Sequence, residues 1–391
     1  MNKKIRFTLP LLLLPLLSPA ETLDEVVDRI MSHNPAVPAS ALTSAAETAS
    51  LSAENDIPLP SIDFGHLWSA EKGGAGKTEI GVMQEIPFPS VVRARKAIAD
   101  EAGRLAELRA DARIRAIRRE TASAVVALYY AKRIKALTDS FANDARTLTE
   151  TLQKGYNLGR VSIIALNDAR FSEADILSEQ LAAKRKVDEC RAAIDLLAGS
   201  HGFSQSLALP DRIELPAMPD SGLCASELML LNPDIAEAST RAIEAGLMAS
   251  AAKAESYGSL AIGYKYSREE NTSYNGLTVS YTLPSSGSSK KAQAARVQAE
   301  SAQSGSQLAE AAAKNEIRLK LQRAESLLQE ITLLEQTLES SNQDFLLRKA
   351  YEGREITIDQ YIIGRRQVLQ TKIRRENALA EYCSTILGIS Y

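Results

Sequence analysis

The sequence predicts a mainly α protein with a small β part, laid out as two copies of one plan. Three observations predict it. Unlike landmark motifs recur at a near-constant offset, two very long helical stretches contain almost no Gly or Pro, and each follows a pair of short alternating segments.

The landmarks come first. HNPAV, with Asn34-Pro35, returns as LNPDI, with Asn232-Pro233, 198 residues later; QEIPFP (Pro87) returns as YTLPSS (Pro284) after 197; GYNLGRVSII (Tyr156) returns as AYEGREITID (Tyr351) after 195. The mature chain thus reads as a first repeat over 21–209 and a second over 222–391. The Pro-rich stretch LALPDRIELPAMPD supplies an extended linker over 210–221.

Ahead of the first repeat, Lys3, Lys4 and Arg6 precede an apolar run from Leu9 to Leu17, closed by Ser18-Pro19-Ala20. This is the pattern of an export signal over 1–20 with cleavage after Ala20, too short for a membrane-spanning helix. No Cys follows the run, so no lipoprotein anchor is expected. Removing three basic residues and no acidic one takes the formal charge from −3 to about −6, which argues against a nucleic-acid partner.

Each repeat opens with a helix, over about 21–55 and 222–254. A β-hairpin follows over 61–88 and again over 257–284, with Gly-rich or charged turns between the strands. Ile80, Val82, Gln84 and Ile86 share one face of their strand, opposite Gly81, Met83 and Glu85. Leu260, Ile262, Tyr264 and Tyr266 oppose Ala261, Gly263, Lys265 and Ser267. Long helices follow over about 90–154 and 286–350, with returning helices over about 161–199 and 357–388. Each repeat therefore contains an antiparallel helical hairpin, 90–199 and 286–388. Ile317, Ala324, Ile331, Leu338 and Phe345, with Leu321 and Leu328 between, predict a coiled-coil seam.

Four strands in one chain leave two open edges and cannot close a barrel. An apolar face opposite a face of Gly, Ser, Thr and charged residues fits a membrane β-strand, with lipid on one side and water on the other. A soluble β-sandwich edge is the alternative. Its apolar face would need covering elements that the sequence does not offer. Pooling strands between copies of the chain removes the edges, and the helical hairpins would pool into a tube.

In this combination the Asn-Pro pairs, strand-to-helix Pro junctions and Tyr-plus-Gly helical turns resemble the TolC outer-membrane efflux family over essentially the whole mature chain. The resemblance implies a homotrimer with a twelve-stranded transmembrane β-barrel and a trimeric α-barrel in the periplasm. It implies an exit duct of a tripartite efflux pump or type I secretion system, gated at its periplasmic tip. The implied partners are a periplasmic adaptor protein, an inner-membrane efflux transporter and outer-membrane lipid. The missing lipobox departs from lipidated relatives and leaves the subfamily open. A periplasmic coiled-coil structural or adaptor protein without a pore is the competing reading; it would carry one helical hairpin and no amphipathic strand pairs.

No catalytic constellation is visible: no G-x-S-x-G, P-loop or H-E-x-x-H. His33, His66 and His201 are far apart, so no metal, cofactor or enzymatic activity is expected. Cys190 and Cys383 fall within helical patterns and read as buried small residues; Cys224 lies elsewhere, and the spacing matches no disulfide framework. At the helical turns Gly159 and Gly353 permit positive φ. The resemblance assigns adaptor docking to Gly159, Arg160, Val161, Ser162, Gly353, Arg354, Ile356 and Thr357; ordinary helix connections are the alternative. Gly159 follows Tyr156 by three residues, whereas Gly353 follows Tyr351 by two, so the glycines are not strictly equivalent. Asp359, early in a returning helix, is the candidate pore constriction, where a threefold copy makes an acidic ring. Otherwise it is an acid facing a helix dipole. The Arg-rich run 93–119 reads either as attraction to partner acids or headgroups, or as a solvated helix face.

Overall fold

The computed structural model describes residues 21–54, 59–68, 70, 76–219, 232–269, 272–283 and 286–390. The export signal, Cys224, the Pro284 junction and the last two linker positions lie outside them. Among the described residues, no helix is long and apolar enough to cross a membrane.

The first repeat runs α1 (Leu23–His33), α2 (Ala36–Glu54), β1 (Ser61–Leu67), β2 (Lys77–Ile86), α3 (Pro89–Asn157), α4 (Ile163–Leu197) and the short α5 (Phe203–Ser206). The second runs α6 (Pro233–Glu255), β3 (Ser259–Glu269), β4 (Thr272–Thr282), α7 (Ser286–Ser341), α8 (Gln343–Glu352) and α9 (Ile358–Ser390).

Two expected helices are broken. The single helix over 21–55 is α1 and α2, because Pro35 has no N–H to donate and biases Asn34 to the extended conformation it adopts, φ −72° and ψ 116°. In the second repeat the same motif starts a helix. Asn232 Oδ1 accepts the Asp234 N–H at 2.9 Å, and Pro233 takes the first helical position. The helix over 286–350 is α7 and α8, separated by Asn342 in the left-handed region at φ 34° and ψ 36°. That break ends the predicted seam. Ile317, Leu321, Ala324 and Ile331 are buried, whereas Phe345, beyond the break, is exposed, and Leu327 replaces Leu328 in the buried set.

Contacts gather into two compact units, and each draws on both repeats. One takes the chain up to Asn34, Glu120–Pro216 and Ile331–Ser384; the other takes Pro35–Arg119, Ala217–Glu330 and the end from Thr385.

The second unit holds one antiparallel sheet in the order β1-β2-β3-β4. Register pairs Phe64 with Ile80, Ile80 with Tyr266, Ile62 with Val82, Val82 with Tyr264, and Tyr264 with Leu277. These residues share one face and are all exposed, with Leu277 82 % accessible. Lys77 and Lys265 lie on the other face and bracket Glu79, at 3.0 and 2.6 Å. Among the described residues, β1 and β4 each keep one unpaired edge. The Pro87–Pro89 junction is as expected: β2 ends at Ile86, and Pro89 is the first residue of α3. In the Arg-rich run, Arg95 meets Glu255 at 2.8 Å and Arg109 meets Glu237 at 3.0 Å. These pairs of largely solvated groups with α6 contribute little stability.

In the first unit, α1 carries a capping box between Thr22 and Glu25 and buries Val26, Val27 and Ile30 completely. The linker is strapped down here. The Tyr129 hydroxyl donates to the Asp211 carbonyl at 3.3 Å, the Tyr382 hydroxyl donates to the Pro216 carbonyl at 2.9 Å, and Ile213 is buried. Glu376, with no exposure, meets Arg133 at 2.8 Å and Arg375 at 2.5 Å. Cys190 and Cys383 are free, buried thiols whose pKa burial pushes up, as small core residues should be.

Candidate functional site

The helical turns of the two repeats lie within the first unit and are built alike, residue for residue, at an offset of 195. In the first, the Arg160 N–H donates to the Gly155 carbonyl at 2.8 Å and the Gly159 N–H donates to the Tyr156 carbonyl at 2.9 Å. In the second, Glu355 donates to Ala350 at 2.8 Å and Arg354 donates to Tyr351 at 3.1 Å. Both are Schellman closures, which satisfy the last carbonyls of a helix and need a left-handed residue just beyond it. Gly159 occupies that position in the first turn, at φ 68°.

In the second turn the expected glycine does not hold it. Gly353 is right-handed at φ −75°, and Arg354 takes φ 59°. The one-residue mismatch between Tyr156–Gly159 and Tyr351–Gly353 has this physical cause. Hydrogen-bond geometry sets the left-handed position, and the glycine of the second turn falls one residue short of it.

The next helix starts alike in both turns. Ser162 Oγ accepts the Ala165 N–H at 3.1 Å. Thr357 Oγ1 accepts the Gln360 N–H at 3.3 Å, while Gln360 Oε1 accepts the Thr357 N–H at 3.0 Å. Gly159, Arg160, Ser162, Gly353, Arg354 and Thr357 are exposed, and Val161 and Ile356 are half-buried. Val161, Ile358 and Ile362 pack on the cluster of Leu152, Leu166 and Ala169, so the two turns are side by side. Leu158 and Ile164 remain exposed at 66 % and 70 %. Asp359 is the second residue of α9 and exposed. Its counterpart in the first repeat is Ile164, so only the second turn carries an acid there. Near it, Tyr351 and Tyr361 stack with ring centres 4.7 Å apart.

Behind the turns lies a charge network that sequence reading does not find. Arg365, 7 % exposed, reaches Asp144 of α3 at 2.5 Å and also pairs with Asp344 of α8. Its guanidinium lies 4.1 Å from the centre of the Phe141 ring. Arg348 also reaches Asp144, at 3.1 Å, and Lys372 stands 3.5 Å from Asp344. Gly364 allows close approach to α8, since a Cβ there would fall 2.7 Å from both methyls of Leu347. Asp144 and Arg365 are 221 residues apart, and no local pattern links them.

The outer membrane efflux protein family matches residues 26–200. Over that span the chain is similar to outer membrane efflux proteins. Solved structures add the fold over nearly the whole chain. A membrane protein from Pseudomonas aeruginosa is similar at TM-score 0.82 with 18 % identity, covering 94 % of this chain and 89 % of that one. The CmeC outer membrane channel of Campylobacter jejuni reaches TM-score 0.79 at 15 % identity, covering 95 % and 85 %. The outer membrane protein VceC of Vibrio cholerae reaches 0.78 at 16 %, covering 94 % of each chain. No curated protein sequence matches the chain. The order of helix, β-hairpin and long helical hairpin, taken twice, is thus the fold that these solved structures share with the chain.

Proposed function

We propose that this chain is the outer-membrane exit duct of a tripartite efflux pump or type I secretion system, a passive conduit and not an enzyme. The observation that carries the reading is the four-stranded sheet. Its apolar face is exposed across all four strands, and both its edges are open. In water that face and those edges invite aggregation. In lipid, only a closed barrel satisfies every backbone group. Closure takes other copies of the chain, and a homotrimer would supply twelve strands, as in the family resembled. A soluble adaptor would not expose such a face.

The turns around Gly159 and Arg354 then form the periplasmic tips. Exposed Leu158, Ile164, Arg160 and Arg354, with Val161, Ser162, Gly353, Ile356 and Thr357, would receive the adaptor. The adaptor would in turn link the duct to an inner-membrane transporter. Asp359, repeated three times, would constrict the pore as an acidic ring. An export signal over 1–20 accounts for delivery.

Fractionation with detergent extraction tests the duct: a heat-sensitive trimer in outer membranes is expected, and a soluble periplasmic monomer would refute it. In planar bilayers, trivalent cations should block the channel, and Asp359→Ala should relieve the block. Unchanged block would remove Asp359 from the pore while leaving the duct intact.

A further inference from the structure

The exposed sheet face changes chemistry at one definite row. Starting at the helix-bearing end, its cross-strand rows contain Ile86, Leu260 and Tyr281; then Gln84, Ile262 and Val279; then Ile62, Val82, Tyr264 and Leu277; then Phe64, Ile80, Tyr266 and Asn275. The next row, toward the hairpin turns, is His66, Thr78, Arg268 and Ser273, one polar side chain from each strand. The His66 ring meets Thr78 Oγ1 at 2.9 Å, and the Tyr266 and Ser273 hydroxyls are 3.0 Å apart. Trp68, 82 % exposed, stands edge-on to His66 at 5.0 Å.

Ile86 lies eight residue steps along β2 from Thr78. That is about 26 Å along the strand, or about 20 Å along the membrane normal at the usual barrel tilt. The polar row therefore falls at the edge of the apolar band, where aromatic side chains and snorkelling cations meet headgroups. Arg268 is exposed on that row. A guanidinium offers paired N–H groups in the geometry that two phosphate oxygens accept.

We propose that the row His66–Thr78–Arg268–Ser273 is a contact site for net-anionic, phosphate-bearing lipid headgroups of the outward leaflet, with Arg268 as the anion ligand. The proposal rests on the reading of the sheet as a membrane wall. It adds a lipid class that the wall selects, and the level at which it does so. Each copy of the chain would bring one such site.

The chain contains a single tryptophan, and it stands at the row. The full-length protein is reconstituted with brominated phosphatidylglycerol or brominated phosphatidylcholine, and quenching of Trp68 reports which lipid occupies the site. At low salt the wild type should favour phosphatidylglycerol about fivefold. Arg268→Gln should bring the ratio close to one without reducing quenching by phosphatidylcholine, and Arg268→Lys should keep part of the preference. Equal quenching by both lipids in the wild type would overturn the headgroup site while leaving the membrane wall standing. So would a preference that survives Arg268→Gln. Saturable binding of inorganic phosphate to the lipid-free protein, lost in Arg268→Gln, together with equal quenching by both lipids, would make the row a free-anion site and overturn the lipid assignment. If neither lipid quenches Trp68, the membrane-wall reading fails and the site with it.

Discussion

Replacing Arg365 by methionine should loosen α8 and the start of α9 without unfolding the rest of the first unit. Methionine keeps an unbranched chain of similar reach, so packing over Phe141 is largely preserved and the loss is electrostatic. Arg365 is buried, but its two carboxylate partners are not: the Asp144 and Asp344 side chains are 40 % and 36 % exposed. Both can return to water, and each keeps a second cation, Arg348 or Lys372. The ~3–5 kcal/mol cost of breaking a fully buried pair is therefore too high here. Each screened pair contributes up to about 1 kcal/mol, and the desolvated cation over the ring adds about 1–2 kcal/mol. Against these stands the relief of burying a charge, so the net loss is about 1–3 kcal/mol. Hydrogen exchange of the backbone amides of α8 and the first turns of α9 reads this directly, since about 1.4 kcal/mol is a tenfold change in local opening. Protection there should fall by about ten- to a hundredfold, with α1 unaffected. Asp344→Asn alone should cost less than about 1 kcal/mol, and should cost almost nothing in the Arg365→Met background. Unchanged protection in Arg365→Met, or an equal loss along every helix, would refute the network as a local clamp.

Three further outcomes follow from the site's construction. The turns should respond in opposite directions to glycine: Gly159→Ala should lower the thermal midpoint by the equivalent of about 1 kcal/mol, although open space surrounds it, whereas Arg354→Gly should raise the midpoint modestly. Gly364→Ala should destabilise the wild type through its clash with Leu347, yet stabilise Leu347→Ala by about 1 kcal/mol in denaturant unfolding, because alanine is the better helix former once the methyls are gone. Asp195 should make stability pH-dependent. Burial pushes its pKa up, but the N–H groups of Ser204 and Gly202, at 2.7 and 2.8 Å, outweigh this and hold it below its usual 3.8. A depressed carboxylate contributes stability that is full above the unfolded value and lost as pH falls through the folded one, so Asp195→Asn should flatten acid unfolding below about pH 4.

Periodicity and punctuation made the plan of this chain readable. Alternation of two exposes the strands, and the sheet register pairs Ile80 with Tyr266, Val82 with Tyr264 and Ile86 with Leu260 on the faces that alternation assigns. Pro87 and Pro89 mark the strand-to-helix passage because proline cannot continue a ladder and can begin a helix. The break at Asn342 was not legible, since nothing about SSNQD excludes a helix and only a residue in the left-handed region reveals the interruption. The seam lost Phe345 for the same reason, because a heptad count assumes an unbroken helix.

The sequence by itself determined the repeat, the four amphipathic strands, the helical hairpins and the place of the two turns, because these follow from local sterics and periodic burial along one segment. Only the tertiary structure decided that Arg354 and not Gly353 takes the left-handed position, since closing hydrogen bonds to Ala350 and Tyr351 set the phase of that turn. It alone brought the two turns together through Val161, Ile358 and Ile362, and assembled Arg365 with Asp144 and Asp344. Such pairings depend on how helices far apart in the chain pack, and a packed contact across two hundred residues leaves no periodic trace in either segment.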